Sequence, residues 1–330
     1  MRRHSSLRMR RLFCLAAISG WVLATSLVSP SHAVDLSTVA RPGVLPNQWI
    51  KGGPDCSKIP SFQVHPYNSD FYILRESGCV HSEKPFLYLL FGSERAILFD
   101  TGAGGEEGAT REPDTTGVVH RAMNYWAAKA KRPVPPLVVS HLHSHDDHTW
   151  GDPQFADAPN TTFVPKNDVP ALQAAFGIAN WPEDIGSIDL GGRVLDVIPI
   201  PGHDDTSIAV YDRETAVLLT GDTMYPGRIY INTSPDVFAA SIARLVAFTK
   251  DKVVAHVLGT HIEQTTPYTD YPVGTIYQPL EAPLSMSRGS LLEMLEATTY
   301  READGTISQR AYKDFSVCGT FPNCAAVNLQ

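Results

Sequence analysis

The stretch His143-Ser144-His145-Asp146-Asp147-His148 decides how this chain is read, because it packs four metal-competent side chains into six residues. It follows a short apolar run, Pro136-Leu137-Val138-Val139-Ser140, that reads as a buried strand running out into a loop. Two imidazoles two residues apart on extended backbone, His143 and His145, point to the same side and can hold one ion. Asp147 and His148, directly after them on a turn, can face a second ion. Imidazole nitrogen with carboxylate oxygen and no thiolate is the ligand chemistry of an open, catalytic zinc site, not of a closed structural one. Only the register that begins at His143 works, since a start at His141 would put His145 where an Asp is needed. His141 either backs the ligands from behind or is a histidine hydrogen-bonded within the sheet.

Three further β-rich segments each deliver one metal-competent side chain just past their ends. Val194-Leu195-Asp196-Val197-Ile198 leads into Pro201-Gly202-His203, Ala216-Val217-Leu218-Leu219-Thr220 into Gly221-Asp222-Thr223, and Val253 to Leu258 into Gly259-Thr260-His261. Binding groups on loops at strand ends, held by a rigid sheet, are a common site architecture. With these motifs in this order, from Phe99-Asp100-Thr101-Gly102 to His261, the chain resembles the metallo-β-lactamase-fold hydrolases. The resemblance implies an αββα sandwich in a single domain. It also implies a first zinc on His143, His145 and His203, a second on Asp147, His148 and His261, and Asp222 bridging the two. His256 competes with His261 for the last position. His261 is preferred because it follows a glycine at a loop, whereas His256 lies inside an apolar run.

One departure separates the branches of that family. The β-lactam-cleaving members usually carry Cys or Ser at the bridging position, and a bridging Asp resembles the lactonase, thioesterase and phosphodiesterase branches instead. The implied activity is hydrolysis by a metal-bridging hydroxide that attacks the acyl centre of a lactone, thioester, ester or lactam. Its parent water would have a pKa of roughly 7. Asp147 would help steady the leaving group. Tyr225, three residues after Asp222, either donates to a developing oxyanion or is ordinary packing. Asp100 either orients a ligand histidine or caps the turn after Ala96 to Phe99. A mononuclear-iron persulfide dioxygenase and a true β-lactamase are the competing enzymes, and a binding protein that kept the fold is the non-catalytic alternative. The full ligand set favours two zinc ions.

The first residues read as an export signal: five arginines up to Arg11, an apolar core from Leu12 to Leu23, and a small-x-small site at Ser31-His32-Ala33. Arg10-Arg11-Leu12-Phe13 also matches the core of a twin-arginine signal. Cleavage after Ala33 would leave 297 residues with 22 Lys+Arg against 35 Asp+Glu, a formal net charge of −13, in the periplasm or secreted. So acidic a surface repels phosphate backbones and counts against nuclease members of the fold. A small-molecule substrate is expected, with no nucleic acid and no membrane span in the mature chain. Four cysteines remain, and an oxidising compartment makes two disulfides the expectation, Cys56–Cys79 and Cys318–Cys324.

Coarse patterning gives strands at Phe71–Arg75, Phe86–Phe91 and Ala96–Phe99, and helices at about Val118–Lys131, from Ser234-Pro235 onward, and at about Ser290–Ala297. The expected divisions are a signal peptide (1–33), an N-terminal extension (34–70), the hydrolase domain (71–283) and a disulfide-pinned tail (284–330). The Pro/Tyr-rich stretch Thr265 to Pro283 is either a lid over the site or surface packing.

Overall fold

The runs Phe71–Glu76, Phe86–Phe91 and Ala96–Phe99 in the first half of the chain and Ile208–Asp212 and Val217–Gly221 in the second are buried on both faces, as central strands packed from both sides are. The computed structural model describes residues 43–104, 112–265 and 269–324, all within one compact unit, Val34–Gln330. The expected signal peptide (1–33), the start of the extension (34–42), residues 266–268 of the candidate lid and the last six residues lie outside the described residues. The first sheet is built from β1 (Phe62–Asn68), β2 (Phe71–Glu76), β3 (Phe86–Phe91) and β4 (Ala96–Phe99). After α1 (Thr115–Ala130) it is completed by β5 (Leu137–Ser140) and, past the short α2 (Asp146–Thr149), by β6 (Thr161–Phe163).

The second sheet follows α3 (Val169–Phe176). It contains β7 (Gly186–Asp189), β8 (Val194–Pro199), β9 (Ile208–Asp212) and β10 (Val217–Gly221). Next come β11 (Arg228–Ile229), α4 (Pro235–Phe248), β12 (His256–Gly259), β13 (Ser285–Met286) and α5 (Arg288–Ala297), with β12 and β13 closing the second sheet. A third, small sheet joins β11 to β14 (Arg310–Ala311) and β15 (Ser316–Val317), and nothing in the sequence pattern announced it.

Period-two alternation sorts the side chains into layers. Phe71, Ile73, Tyr88, Leu90, Ile97 and Phe99 meet Leu195, Val197, Val210, Leu219 and Leu258 in the core between the sheets. The opposite faces of the first-sheet strands, with Leu74, Leu89 and Leu98, pack on Val119, Met123 and Trp126 of α1. Ile198, Leu218 and Val257 pack on Phe238, Ile242 and Leu245 of α4 and on Leu291 and Met294 of α5. This is the αββα sandwich expected. The parallel pairs β4–β5 and β10–β12 each need a crossover, supplied by α1 and α4.

Several boundaries differ from expectation. α1 begins three residues early because Asp114 caps it, accepting from the Gly117 amide at 2.9 Å. β1 pairs with β2, so a boundary at residue 70 falls between two paired strands, and β13 likewise ties the tail to the second sheet. Both expected disulfides are present, Cys56–Cys79 and Cys318–Cys324.

The stretch from Thr265 to Pro283 is strapped down at several points. Arg75, fully buried, donates to Glu281 at 2.9 and 2.7 Å. The buried Lys84 donates to the Thr275 carbonyl at 2.8 Å, and Lys51 to that of Pro279 at 2.8 Å. Gly78, beside the Cys56–Cys79 disulfide, lies so close under the Ile276 carbonyl that a Cβ there would stand 1.8 Å from its oxygen. Its part from residue 269 to residue 283 is a wall tied to the body of the domain.

Removing one partner of a buried ion pair strands the other charge. Arg75→Ala should therefore lower unfolding stability by about 3–5 kcal/mol, while Arg75→Met combined with Glu281→Gln should recover most of the loss. Urea denaturation of the three proteins measures both changes.

Candidate metal centre

Every sequence-predicted ligand stands at one edge of the sandwich, just past the end of a strand. The parallel register that pairs Gly221 with Gly259 sets Asp222 and His261 on adjoining loops, and the pairing of Phe99 with Ser140 does the same for Asp100 and the histidine cluster. Two groups of ligand atoms result, His143, His145 and His203 in one and Asp147, His148, Asp222 and His261 in the other. Within each, the ligand atoms lie within 4.8 Å of one another.

In the first group His145 Nδ1 lies 3.1 Å from His143 Nε2 and 3.0 Å from His203 Nε2. In the second, His148 Nε2 and His261 Nε2 are 3.1 Å apart, and each is 3.2 Å from Asp147 Oδ2. Asp222 divides its oxygens between the groups. Oδ1 faces His261 (3.3 Å) and His148 (3.6 Å), and Oδ2 faces His203 (3.6 Å) and His143 (3.7 Å). Thr260 Oγ1 donates to Asp222 Oδ1 and holds that orientation.

The tautomers follow from what lies behind the rings. His148 Nδ1 donates to Asp100 Oδ2 at 3.1 Å, His261 Nδ1 to the Glu83 carbonyl at 2.8 Å, and His203 Nδ1 to the Tyr230 carbonyl at 2.9 Å. With the protons on Nδ1, the Nε2 lone pairs all face inward. Ring nitrogens about 3 Å apart repel one another unless a proton or a metal ion lies between them and their neighbours. His143 adds a buried Nδ1 with no hydrogen-bond partner. The donor set is therefore arranged for a cation and fits borderline divalent metals.

The electrostatics divide along the same line. Burial, followed by the neighbouring imidazoles, holds His143 well below the usual histidine range, and burial also lowers His203. Burial would lower His148 and His261 as well, but the carboxylates around them outweigh it and hold both well above that range. Burial opposes ionisation of Asp147 and Asp222, yet the facing histidines keep both well below the carboxylate range. The second group asks for positive charge, and the first offers neutral imidazole.

A cleft of about 530 Å³ opens over both groups, lined by His145, Asp147, His203, Asp222 and His261 together with Glu83, Asp146, Tyr225, Tyr230, Asn232, Glu263, Val273 and Phe321. Asp100, at φ +68°, accepts from the Leu142 amide at 2.8 Å while holding His148, so it both fixes the turn and orients a ligand. His141 Nε2 is instead bonded to Asp152 at 2.8 Å. His256 opens β12 half-buried and bonds to Ser285 Oγ at 2.7 Å, away from both groups.

Tyr225 differs from the oxyanion-donor expectation. Its ring lies 5.3 Å edge-on to His261, but its hydroxyl donates to the Arg228 carbonyl and sits 3.1 Å from Glu263 Oε2. The phenol proton is thus committed to the cleft wall. Sequence reading missed Glu83, Tyr230, Asn232, Glu263 and Phe321. Only Glu263 left a signal, since it follows His261 at the spacing of two that puts alternate side chains on one face.

The chain belongs to the metallo-β-lactamase superfamily, whose family model matches residues 85–256. Among curated proteins, it is 24% identical to the acyl-coenzyme A thioesterase MBLAC2 of Gallus gallus over 241 residues, covering 62% of this chain and 82% of that one. Against the Bos taurus counterpart the match is 28% and spans 59% of its length. It is 26% identical to the hydroxyacylglutathione hydrolase of Rhizobium meliloti (strain 1021), over 34% of this chain and 44% of that one. Among solved structures, a metallo-beta-lactamase from Pontibacter korlensis superposes with a TM-score of 0.46 at 17% identity, covering 73% of this chain and 100% of that one. The family, with the thioesterase and hydroxyacylglutathione hydrolase relatives, makes this a hydrolase-type chain with a metal-competent His/Asp cluster.

Two substitutions probe the groups behind the ligands. Asp100→Asn keeps an acceptor for the Leu142 amide but turns a donor toward His148 Nδ1–H. It should weaken divalent-metal binding at the second group by about 10–100-fold, read with zinc as the probe in titration against a chelator. Tyr225→Phe leaves the Arg228 carbonyl without its donor and should cost about 1–2 kcal/mol of stability while kcat changes less than about threefold. A kcat loss of about 10²–10³-fold at unchanged zinc content would instead give the hydroxyl an oxyanion role.

Proposed function

We propose that this chain is an exported, binuclear zinc hydrolase that cleaves the acyl bond of a thioester, lactone or ester. The observation that carries this reading is Asp222, whose two carboxylate oxygens face the two ligand groups separately. One ion would rest on His143, His145 and His203, the other on Asp147, His148 and His261. Bound there, zinc would supply Lewis acidity toward the acyl oxygen and a water acidified to a pKa of roughly 7.

The remaining work falls to the chain itself. Asp100, the Glu83 carbonyl and the Tyr230 carbonyl hold three ligand rings in the tautomer that presents Nε2. Asp147, at the edge of the cleft, is placed to accept a proton or steady a leaving group once its metal-facing oxygen is engaged. Tyr225, Tyr230 and Phe321 line the cleft and would lie against an acyl group seated over Asp222. The names of the relatives, an acyl-coenzyme A thioesterase and a hydroxyacylglutathione hydrolase, support acyl transfer to water, and Asp at position 222 supports it over β-lactam cleavage. Export rests on the arginine-rich, apolar N-terminal segment and on the two disulfides.

The test is a substrate panel with zinc-loaded protein lacking residues 1–33: acyl thioesters, acyl-homoserine lactones, nitrocefin and bis-p-nitrophenyl phosphate. Thioester or lactone turnover should lead. Asp222→Ala should lose at least about 10³-fold of it with the circular dichroism unchanged, because the shared ligand is gone. Efficient nitrocefin cleavage by the wild type, or one iron per chain with oxygen consumed, would overturn the proposal.

A further inference from the structure

The cleft over the two ligand groups has a polar floor and an apolar rim. Histidine and carboxylate atoms make the floor, and two divalent ions bound there would make it more polar still, so hydrocarbon gains nothing by lying on it. At the rim Val273 and Phe321 line the same cleft and are 61% and 58% exposed. Ile276, Tyr277 and Leu280, further along the segment that begins with Val273, are exposed as well. These five are nearly half of the twelve large apolar side chains exposed among the described residues. Scattered exposed apolar residues need no explanation, but a run of them beside a concave site marks surface that a ligand or partner covers.

Both segments that carry these side chains are fastened through their backbones. Lys84 Nζ donates to the Thr275 carbonyl and Lys51 Nζ to the Pro279 carbonyl, each at 2.8 Å. The Leu280 amide donates to the Tyr271 hydroxyl at 2.7 Å, and the Ile276 carbonyl rests against Gly78. Phe321 stands on the loop closed by Cys318–Cys324, where its amide donates to Asn232 Oδ1 at 3.0 Å and its ring lies edge-on to Tyr230 at 5.2 Å. With the main chain held, hydrocarbon laid on these side chains meets a surface that needs little further ordering.

We propose that this apolar rim is an acyl-chain subsite. Val273 and Phe321 flank the chain as it leaves a carbonyl seated over Asp222, and Ile276, Tyr277 and Leu280 extend the surface for longer chains. The substrate class is then a medium- to long-chain acyl compound, not one with an acetyl or other short acyl group. This deepens the acyl-hydrolase reading and rests on it. The occupant is the substrate's own chain and not a second copy of the protein, because Val273 and Phe321 line the cleft itself, where a chain tethered to the reacting carbonyl reaches them. Contacts remote from the reacting atoms then raise kcat/KM for the chain that makes them.

The experiment is a series of N-acetylcysteamine thioesters that share the thiol and differ only in the acyl group: acetyl, butanoyl, octanoyl and dodecanoyl, each below its micelle concentration. Thiol release is followed with the zinc-loaded protein lacking residues 1–33; if the panel favours lactones or esters, the same acyl series is used in that class. A methylene buried on one side contributes about twofold, so kcat/KM should rise by roughly 60-fold from acetyl to octanoyl. Val273→Ser combined with Phe321→Ala should cut the octanoyl-over-acetyl ratio by at least about fivefold, and that ratio is insensitive to any common loss of folded or zinc-loaded enzyme. Leu280→Ser should lower the dodecanoyl-over-octanoyl ratio by about twofold. A series flat in chain length, or an octanoyl-over-acetyl ratio unchanged in the double variant, would overturn the subsite and leave the hydrolase reading standing. A dimer in sedimentation that Leu280→Ser dissociates would give the wall to a second copy and overturn the subsite in the same way. No turnover of any thioester, lactone or ester would overturn both.

Discussion

The carboxylate of Asp222 is the constraint on which the rest of the site depends. One buried group has to present one oxygen to His148 and His261 and the other to His143 and His203. That is possible only if loops from both sheets end at the same edge. The sandwich meets this requirement through its parallel pairs: β10 beside β12 brings Asp222 to His261, and β4 beside β5 brings Asp100 to the histidine cluster. Bringing so many inward-facing lone pairs and carboxylates together has a cost. Around it His148 and His261 are pushed up while His143, His203, Asp147 and Asp222 are pushed down, so the cluster calls for positive charge beside its carboxylates, which a divalent cation would supply.

How much of this was legible in the sequence depended on whether the signal was local. The residues that the structure gathers into two groups could be picked out because each follows an apolar strand at a turn, and because His143 to His148 compresses two half-sites into one segment. His261 could be told from His256 by its glycine neighbours, and the structure places His256 on Ser285, away from both ligand groups. The sequence pattern starts α1 three residues late because Thr115-Thr116-Gly117 have weak helix propensity, which the Asp114 cap outweighs. The hydroxyl of Tyr225 could not be assigned from its spacing to Asp222. Its partner, the Arg228 carbonyl, is set by a turn, and Glu263 arrives from a different loop.

The cleft walls were the least legible part, for a related reason. Glu83 and Phe321 come from positions far apart in the chain, and each sits in a segment with no periodic pattern. What fixes them is tertiary: the His261 ring on the Glu83 carbonyl, the Asn232 amide oxygen on Phe321, and the Arg75–Glu281 pair behind the wall. A Pro/Tyr-rich composition fits a lid and a wall equally well, and the buried cations Arg75 and Lys84 decide for the wall. Specificity thus lies in contacts between distant segments, while the metal-competent chemistry lies in contiguous motifs.

The most direct measurement of the central claim is anomalous diffraction at the zinc edge from crystals of the zinc-loaded protein. Two peaks are predicted, one on His143, His145 and His203 and one on Asp147, His148 and His261, with one Asp222 oxygen directed to each. A single peak, or two peaks with Asp222 bound to only one of them, would contradict the account.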